Sequence, residues 1–260
     1  MLRSLEVAKT GLEAQQAQLD VVSNNLANVA TTGFKKSRAV FQDLLYDTIR
    51  PAGASSSQTT VLPSGLQLGN GSQIVGTSRN FTQGTTVVTG NPFDMAISGP
   101  GFFQVQLPNG TTAYTRDGTF KLNADGALVT NDGFLVTPQI TVTGVTPDTV
   151  AVSRDGLITG FDNNGALQQV GQLQIATFIN PAGLRSLGGN LYAETIASGQ
   201  AVTGNPGSNG LGEITQKALE NSNVNVAEEL VNLITAQRAF EVASRAISSS
   251  DQILQKLGQL

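Results

Sequence analysis

The chain has 260 residues, a formal net charge of -4, only 13% charged residues, and neither cysteine nor histidine. That composition excludes disulfides, thiolate nucleophiles, imidazole bases and the usual zinc ligands, and with no basic block nucleic acid is not an expected partner. The length exceeds what one compact core usually holds, so more than one domain is expected.

Glu6 and Lys9 interrupt any apolar stretch at the start, and no run approaches the length of a membrane span. Neither a cleavable signal peptide nor membrane insertion is expected, which fits a cytoplasmic or non-classically exported protein. Leu5, Ala8, Leu12, Gln15, Leu19, Val22, Leu26 and Val29 then alternate by three and four residues. That is the spacing of a helix seam packed on a partner helix. From Thr10 to Phe34 only Glu13 and Asp20 are charged, while Gln15, Gln16, Gln18, Asn24, Asn25 and Asn28 occupy much of the polar surface. Amides donate and accept without the desolvation cost of a full charge, so they suit a helix placed among other helices, with a hairpin exposing a Gln-rich face as the alternative. Gly33 follows Thr31 and Thr32 and is the expected left-handed cap of this helix.

Residues 34–71 form a linking segment, helical or extended as far as Arg50 and rich in Pro, Gly, Ser and Thr from Pro51 to Gly65. The middle of the chain is punctuated by Asp-Gly at Asp117, Asp125, Asp132 and Asp155 and by Asn-Gly at Asn70, Asn109, Asn164 and Asn209. Such pairs fit tight hairpin turns. Short strands are predicted at Phe102 to Leu107, Thr112 to Thr115, Thr119 to Leu122, Leu128 to Thr130, Phe134 to Val136, Val150 to Ser153 and Leu173 to Phe178, giving a sandwich or irregular barrel. The last 35 residues return to helical spacing. Val226, Leu233, Phe240, Ile247 and Leu254 form one column, and Ala236, Ala243 and Leu257 lie three positions after members of it. Asn225 is the expected N-cap, Glu228 completes a box-like pattern, and Glu241 and Arg245 make an i,i+4 pair.

The fold class expected from these patterns is α+β. Long N- and C-terminal α-helices are expected to pack as a coiled coil, with a central, mainly antiparallel β domain between them in sequence, residues 1–33 and 222–260 being the assembly domain and 72–221 the β domain. Catalytic alternatives find little support. A cell-wall glycan hydrolase needs two carboxylates about 5 to 9.5 Å apart, one with a raised pKa. Here Asp117, Asp125, Asp132 and Asp155 precede Gly in turns, Asp162 lies in the turn-like DNNG, and only Asp94, Glu194 and Glu213 lack a local role. Leu173 stands where a calcium loop beginning at Asp162 needs its bidentate Glu, and the glycine-rich stretches 65–71 and 204–212 lack the Lys-Ser or Lys-Thr of a phosphate loop. No catalytic residue, cofactor or metal site is expected. A β-rich adhesin fibre is the other rival. In the pair Phe102 and Phe103 one ring is expected inward and one outward, the outward one a candidate subunit contact.

NNLANVATTGFK (Asn24 to Lys35) together with SNVNVAEELVNLITAQRAFE (Ser222 to Glu241) resembles the paired terminal signatures of the bacterial flagellar axial family, which includes rod, hook and junction subunits. Asp94 to Val105 and Tyr114 to Phe120 resemble that family's central block, and Tyr46 to Gly71 resembles an element typical of the distal rod. The resemblance implies a non-enzymatic subunit of a rigid hollow drive shaft in the basal body, spanning the periplasm. Its implied partners are further copies of itself, proximal rod proteins, hook protein, L- and P-ring proteins, a rod cap and the flagellar type III export apparatus. A proximal rod or hook subunit is the near alternative. The helix columns then become the assembly interface: Leu5, Leu12, Leu19, Val22, Leu26, Val226, Leu233, Phe240, Ile247, Leu254 and Leu257. Tyr46, Ile49, Leu62, Pro63, Leu66 and Leu68 become an inter-subunit rod element.

Overall fold

The computed structural model describes residues 2–53, 63–162 and 165–257. Two α-helices lie at the ends, α1 at Leu2–Ala27 and α2 at Val226–Leu257, and the region between them is rich in strands. The chain divides into two compact units. One comprises Met1–Ala27, Ser37–Ser78 and Asn225–Leu260, and the other Asn28–Lys36 and Arg79–Val224.

In the first unit the expected coiled coil is not formed. The helices touch each other, and α1 also packs on the strand Ser37–Asp43. Burial, however, follows no pair of matched seams. The buried side chains are Ala14, Val22 and Asn25 in α1 and Glu229 and Ala236 in α2, while Val226 and Phe240 are exposed. The reason lies in the second column of α2, where Ala236, Ala243 and Ser250 are too small to act as knobs, and in the polar pair Asn25 and Glu229 at the contact. The fold is therefore a strand-rich protein with one helix at each end, which corrects the α+β coiled-coil expectation. Helix α1 also stops at Ala27, so Val29 lies beyond it, and Gly33 is not its cap. At the other end Asn225 Oδ1 accepts from the backbone N–H groups of Ala227 at 3.0 Å and Glu228 at 3.4 Å, the expected N-cap.

The segment after α1 is extended rather than helical. Ser37–Asp43 pairs with Ser72–Arg79, and Asp47–Arg50 pairs antiparallel with Leu66–Leu68.

In the second unit the largest sheet is antiparallel and runs in the order Arg185–Gly188, Leu191–Ala193, Thr112–Thr115, Phe102–Gln106, Leu135–Thr137, Leu128–Val129, Lys121–Leu122. Val105 sits opposite Ala113, and Phe103 opposite Thr115. Because side chains alternate along a strand, Phe103 and Val105 enter one core with Met95, Ile97, Phe120, Ile158 and Ile214. Phe102 goes to the other face. There it meets Tyr114, Phe178, Leu184 and Tyr192, with its ring edge-on to Phe178 at 5.8 Å. Both rings of the Phe pair are thus buried, and the expected outward-facing contact does not exist. The turns follow the sequence pattern, Gly126 and Gly133 having φ of 74° and 84°. Gly118 serves a different need: a Cβ there would lie 1.6 Å from the Met95 carbonyl oxygen, so the backbone at Met95 comes too close for any side chain.

Candidate assembly interface

The second unit holds a buried charge cluster that binds its first and last segments together. Lys35 donates to Glu220 Oε1 at 2.5 Å and to the Thr82 carbonyl at 2.8 Å, and Arg116 Nη1 reaches Glu220 Oε2 at 3.2 Å. All three side chains are almost fully buried. The Gly84 N–H also donates to Glu220 Oε1 at 2.8 Å. Arg116 donates to the carbonyls of Ile97 and Gly99 and lies 5.4 Å from the centre of the Phe102 ring. Its Nε has no acceptor among the described residues. Burial pushes the Lys35 ammonium below its ordinary value, although the bond to Glu220 acts the other way, and burial acts in the same direction on Arg116.

Backbone bonds extend this clasp. The Gly33 N–H donates to the Glu220 carbonyl at 2.7 Å. Asn223 accepts from the Lys36 N–H at 2.7 Å and donates to the Asn80 and Thr82 carbonyls. Gly33 is left-handed with φ of 70°, and a Cβ on it would come within 2.7 Å of the Asp117 nitrogen. Its role is close packing inside this clasp.

In the first unit Asn25 acts as a substitute strand partner. Its amide donates to the Ser37 carbonyl at 2.8 Å and accepts from the Ser37 N–H at 2.9 Å, and it also reaches Glu229 Oε2 at 3.3 Å. One side chain therefore joins both helices and the first strand. The other carboxylates with no role in the sequence reading have structural ones in the second unit. Asp94 accepts from Thr89 Oγ1 and Asn91 Nδ2, and Arg154 approaches Glu213 at 3.9 Å. Burial and the neighbouring Glu194 together push the Tyr114 hydroxyl above its ordinary value. No group of three or more acidic side chains suited to a metal ion occurs among the described residues.

The proposed contact residues fall into distinct groups. Leu5, Leu12, Leu19 and Leu26 are half-buried and Val22 is buried in α1. In α2, Leu233 and Ile247 are half-buried and Val226 and Phe240 are exposed. The side chains of Leu254 and Leu257 lie outside the described residues. Tyr46, Ile49, Pro63, Leu66 and Leu68 are exposed on the small hairpin, where Ile49 shows 53% of its surface, and Leu62 lies outside the described residues. Leu45, just before the hairpin in the chain, is also 89% exposed. Helical and strand periodicity give no sign of Glu220, which ends a short strand and is 185 residues from Lys35. The available signal was a carboxylate between apolar and turn residues in a chain with few charges.

Residues 5–35 match the family described as flagella basal body rod protein, residues 96–160 the flagellar hook protein FlgE/F/G D1 domain, and residues 215–260 the flagellar basal body rod FlgEFG protein C-terminal region. Lys35, Arg116 and Glu220 come one from each matched segment. The chain is 55% identical over 262 residues to the flagellar basal-body rod protein FlgG of Buchnera aphidicola subsp. Acyrthosiphon pisum, covering 100% of both chains. It is 45% identical to the protein of that name from Borreliella burgdorferi, covering 98% of this chain and 97% of the relative, and 40% identical to that of Bacillus subtilis, covering 100% and 99%. A solved structure, the Helicobacter pylori flagellar hook protein FlgE2, matches at 16% identity with a TM-score of 0.25, over 72% of this chain and 43% of that one. The chain belongs to the flagellar basal-body rod protein FlgG family.

Proposed function

We propose that the chain is the repeating subunit of the distal flagellar rod, polymerising helically into a stiff hollow shaft that carries motor torque to the hook. Its function is structural rather than catalytic, and it assembles in the flagellar basal body with other flagellar components. The full-length identity to basal-body rod proteins carries this reading. Among the described residues no helix is long and apolar enough to cross a membrane.

The finer reading concerns contacts. The interface between copies comprises the helix residues Leu5, Leu12, Leu19, Val22, Leu26, Val226, Leu233, Phe240, Ile247, Leu254 and Leu257. The hairpin around Tyr46, Ile49, Leu66 and Leu68, with Leu62 and Pro63, adds a second contact that stiffens the shaft. The exposed apolar side chains of Tyr46, Ile49, Leu66 and Leu68 on the hairpin and of Val226 and Phe240 on α2 support this, since exposed apolar surface marks interaction sites. The shaft meets proximal rod proteins below, hook protein above, L- and P-ring proteins around it and a rod cap at its growing tip. Subunits reach that tip through the flagellar type III export apparatus.

The test is deletion of Thr48 to Leu68. Tubes should still form but bend more easily, seen as a shorter persistence length in electron micrographs. Well-formed tubes of unchanged stiffness would make the segment a passive linker.

A further inference from the structure

We infer that Arg3 is a positioning residue that fixes the exposed hairpin, Asp47–Arg50 with Leu66–Leu68, to the first turn of α1. The guanidinium makes three contacts: Asp47 Oδ2 at 3.1 Å, the Leu68 carbonyl at 3.0 Å and Asn70 Oδ1 at 2.8 Å. Asp47 and Leu68 are the cross-strand partners at one end of the hairpin register. Arg3 therefore holds both members of that pair at once, the geometry that a planar fork of five fixed donors favours over a point-charge ammonium. Asn70 passes the link on, its amide donating to the Leu45 carbonyl at 2.8 Å, next to the exposed Leu45 and Tyr46 side chains.

A two-stranded hairpin has too little buried surface to hold its own shape in water. This one is exposed along both strands, so its order must come from what its base is tied to. A close backbone approach lies two helical turns further on. Gly71 has φ of 104°, and a Cβ there would come within 2.0 Å of Thr10 Oγ1. The Leu44 N–H donates to the Gly71 carbonyl at 2.9 Å. Arg3 and Thr10 are seven residues apart and so lie on one face of α1. A simple surface ion pair is worth little. Here two of the three acceptors are neutral, and the fan spans the hairpin base. The consequence is coupling: the apolar surface offered to a second copy of this chain takes its position only when the first turn of α1 is helical.

Hydrogen exchange on polymerised full-length chain tests this. In Arg3→Ala the amides of residues 47–50 and 66–68 should exchange at least about tenfold faster, the scale set by losing hydrogen bonds to a charged group. The amides of α1 beyond its first turn and of Phe102–Gln106 should be unchanged. Arg3→Lys keeps the charge but not the fork and should fall between. Asp47→Asn, which leaves α1 untouched and keeps the two neutral acceptors, should give a smaller acceleration, so a failure of one variant to polymerise does not remove the test. Hairpin exchange at the wild-type rate in Arg3→Ala, or equal acceleration throughout α1, would overturn the inference. It rests on the proposed reading of the hairpin as a contact between copies, and the two fail separately. Accelerated hairpin exchange with wild-type tube stiffness supports the Arg3 tie and removes the contact reading, whereas unchanged exchange removes the tie whatever the stiffness.

Discussion

Replacing Glu220 by Gln should destabilise the strand-rich unit far more than replacing Lys35 by Met. The buried cluster contains two cations and one anion. Glu220→Gln keeps the shape and can keep the bonds from Lys35 and Gly84 at Oε1. It places an amide donor, however, where Oε2 accepts from Arg116 at 3.2 Å, and it leaves both buried cations without a counter-charge. Removing one partner of a buried ion pair costs about 3–5 kcal/mol. For a unit of this size each kcal/mol lowers the melting temperature by about 2–4 °C, so the midpoint should fall by about 6–20 °C. Lys35→Met removes a cation whose burial is already unfavourable and leaves Arg116 and Glu220 balanced one to one. Its midpoint should fall less. Near-UV circular dichroism melts of the two variants beside the wild type measure this order. A Lys35→Met midpoint at or below that of Glu220→Gln would refute the charge-balance reasoning.

Burial raises the Asp117 carboxyl above its ordinary value, while bonds from the Thr119 N–H and hydroxyl act in the opposite direction. The folded state therefore holds the proton longer than the unfolded chain. The stability this contributes is fully present below the unfolded value near 3.8 and is lost as pH rises through the raised folded value. Asp117→Asn should accordingly be more stable than wild type at pH 7, with the difference vanishing below that value, as followed by denaturant melts across pH. Gly118→Ala should cost upward of about 3 kcal/mol in a urea melt, because its Cβ would overlap the Met95 carbonyl and force the backbone apart.

What was legible in the sequence was local. Leu12, Leu19 and Leu26 marked a helix by their spacing, Asn225 marked the start of the second, and Asp125-Gly126 and Asp132-Gly133 marked hairpin turns, because each signal is carried within a few residues. Heptad spacing does not establish a coiled coil, because it reports only that a helix has an apolar side. It does not report whether the opposing side chains are large enough to interlock, and Ala236, Ala243 and Ser250 are not. Phe102 departs from expectation for a related reason: alternation places it opposite Phe103, but only the returning segment with Phe178 and Leu184 shows that its face is covered. The clasp of Lys35, Arg116 and Glu220 depends on partners up to 185 residues apart, and nothing local to Glu220 announces them.

The proposal that this chain polymerises into a hollow shaft carries one further expectation, that its terminal helices line the lumen. Electron microscopy of the purified full-length protein tests it most directly. Hollow helical filaments with α1 and α2 lining the lumen are the expected result. Filaments with both helices on the outer surface, or solid fibres joined through the strand-rich unit alone, would contradict it.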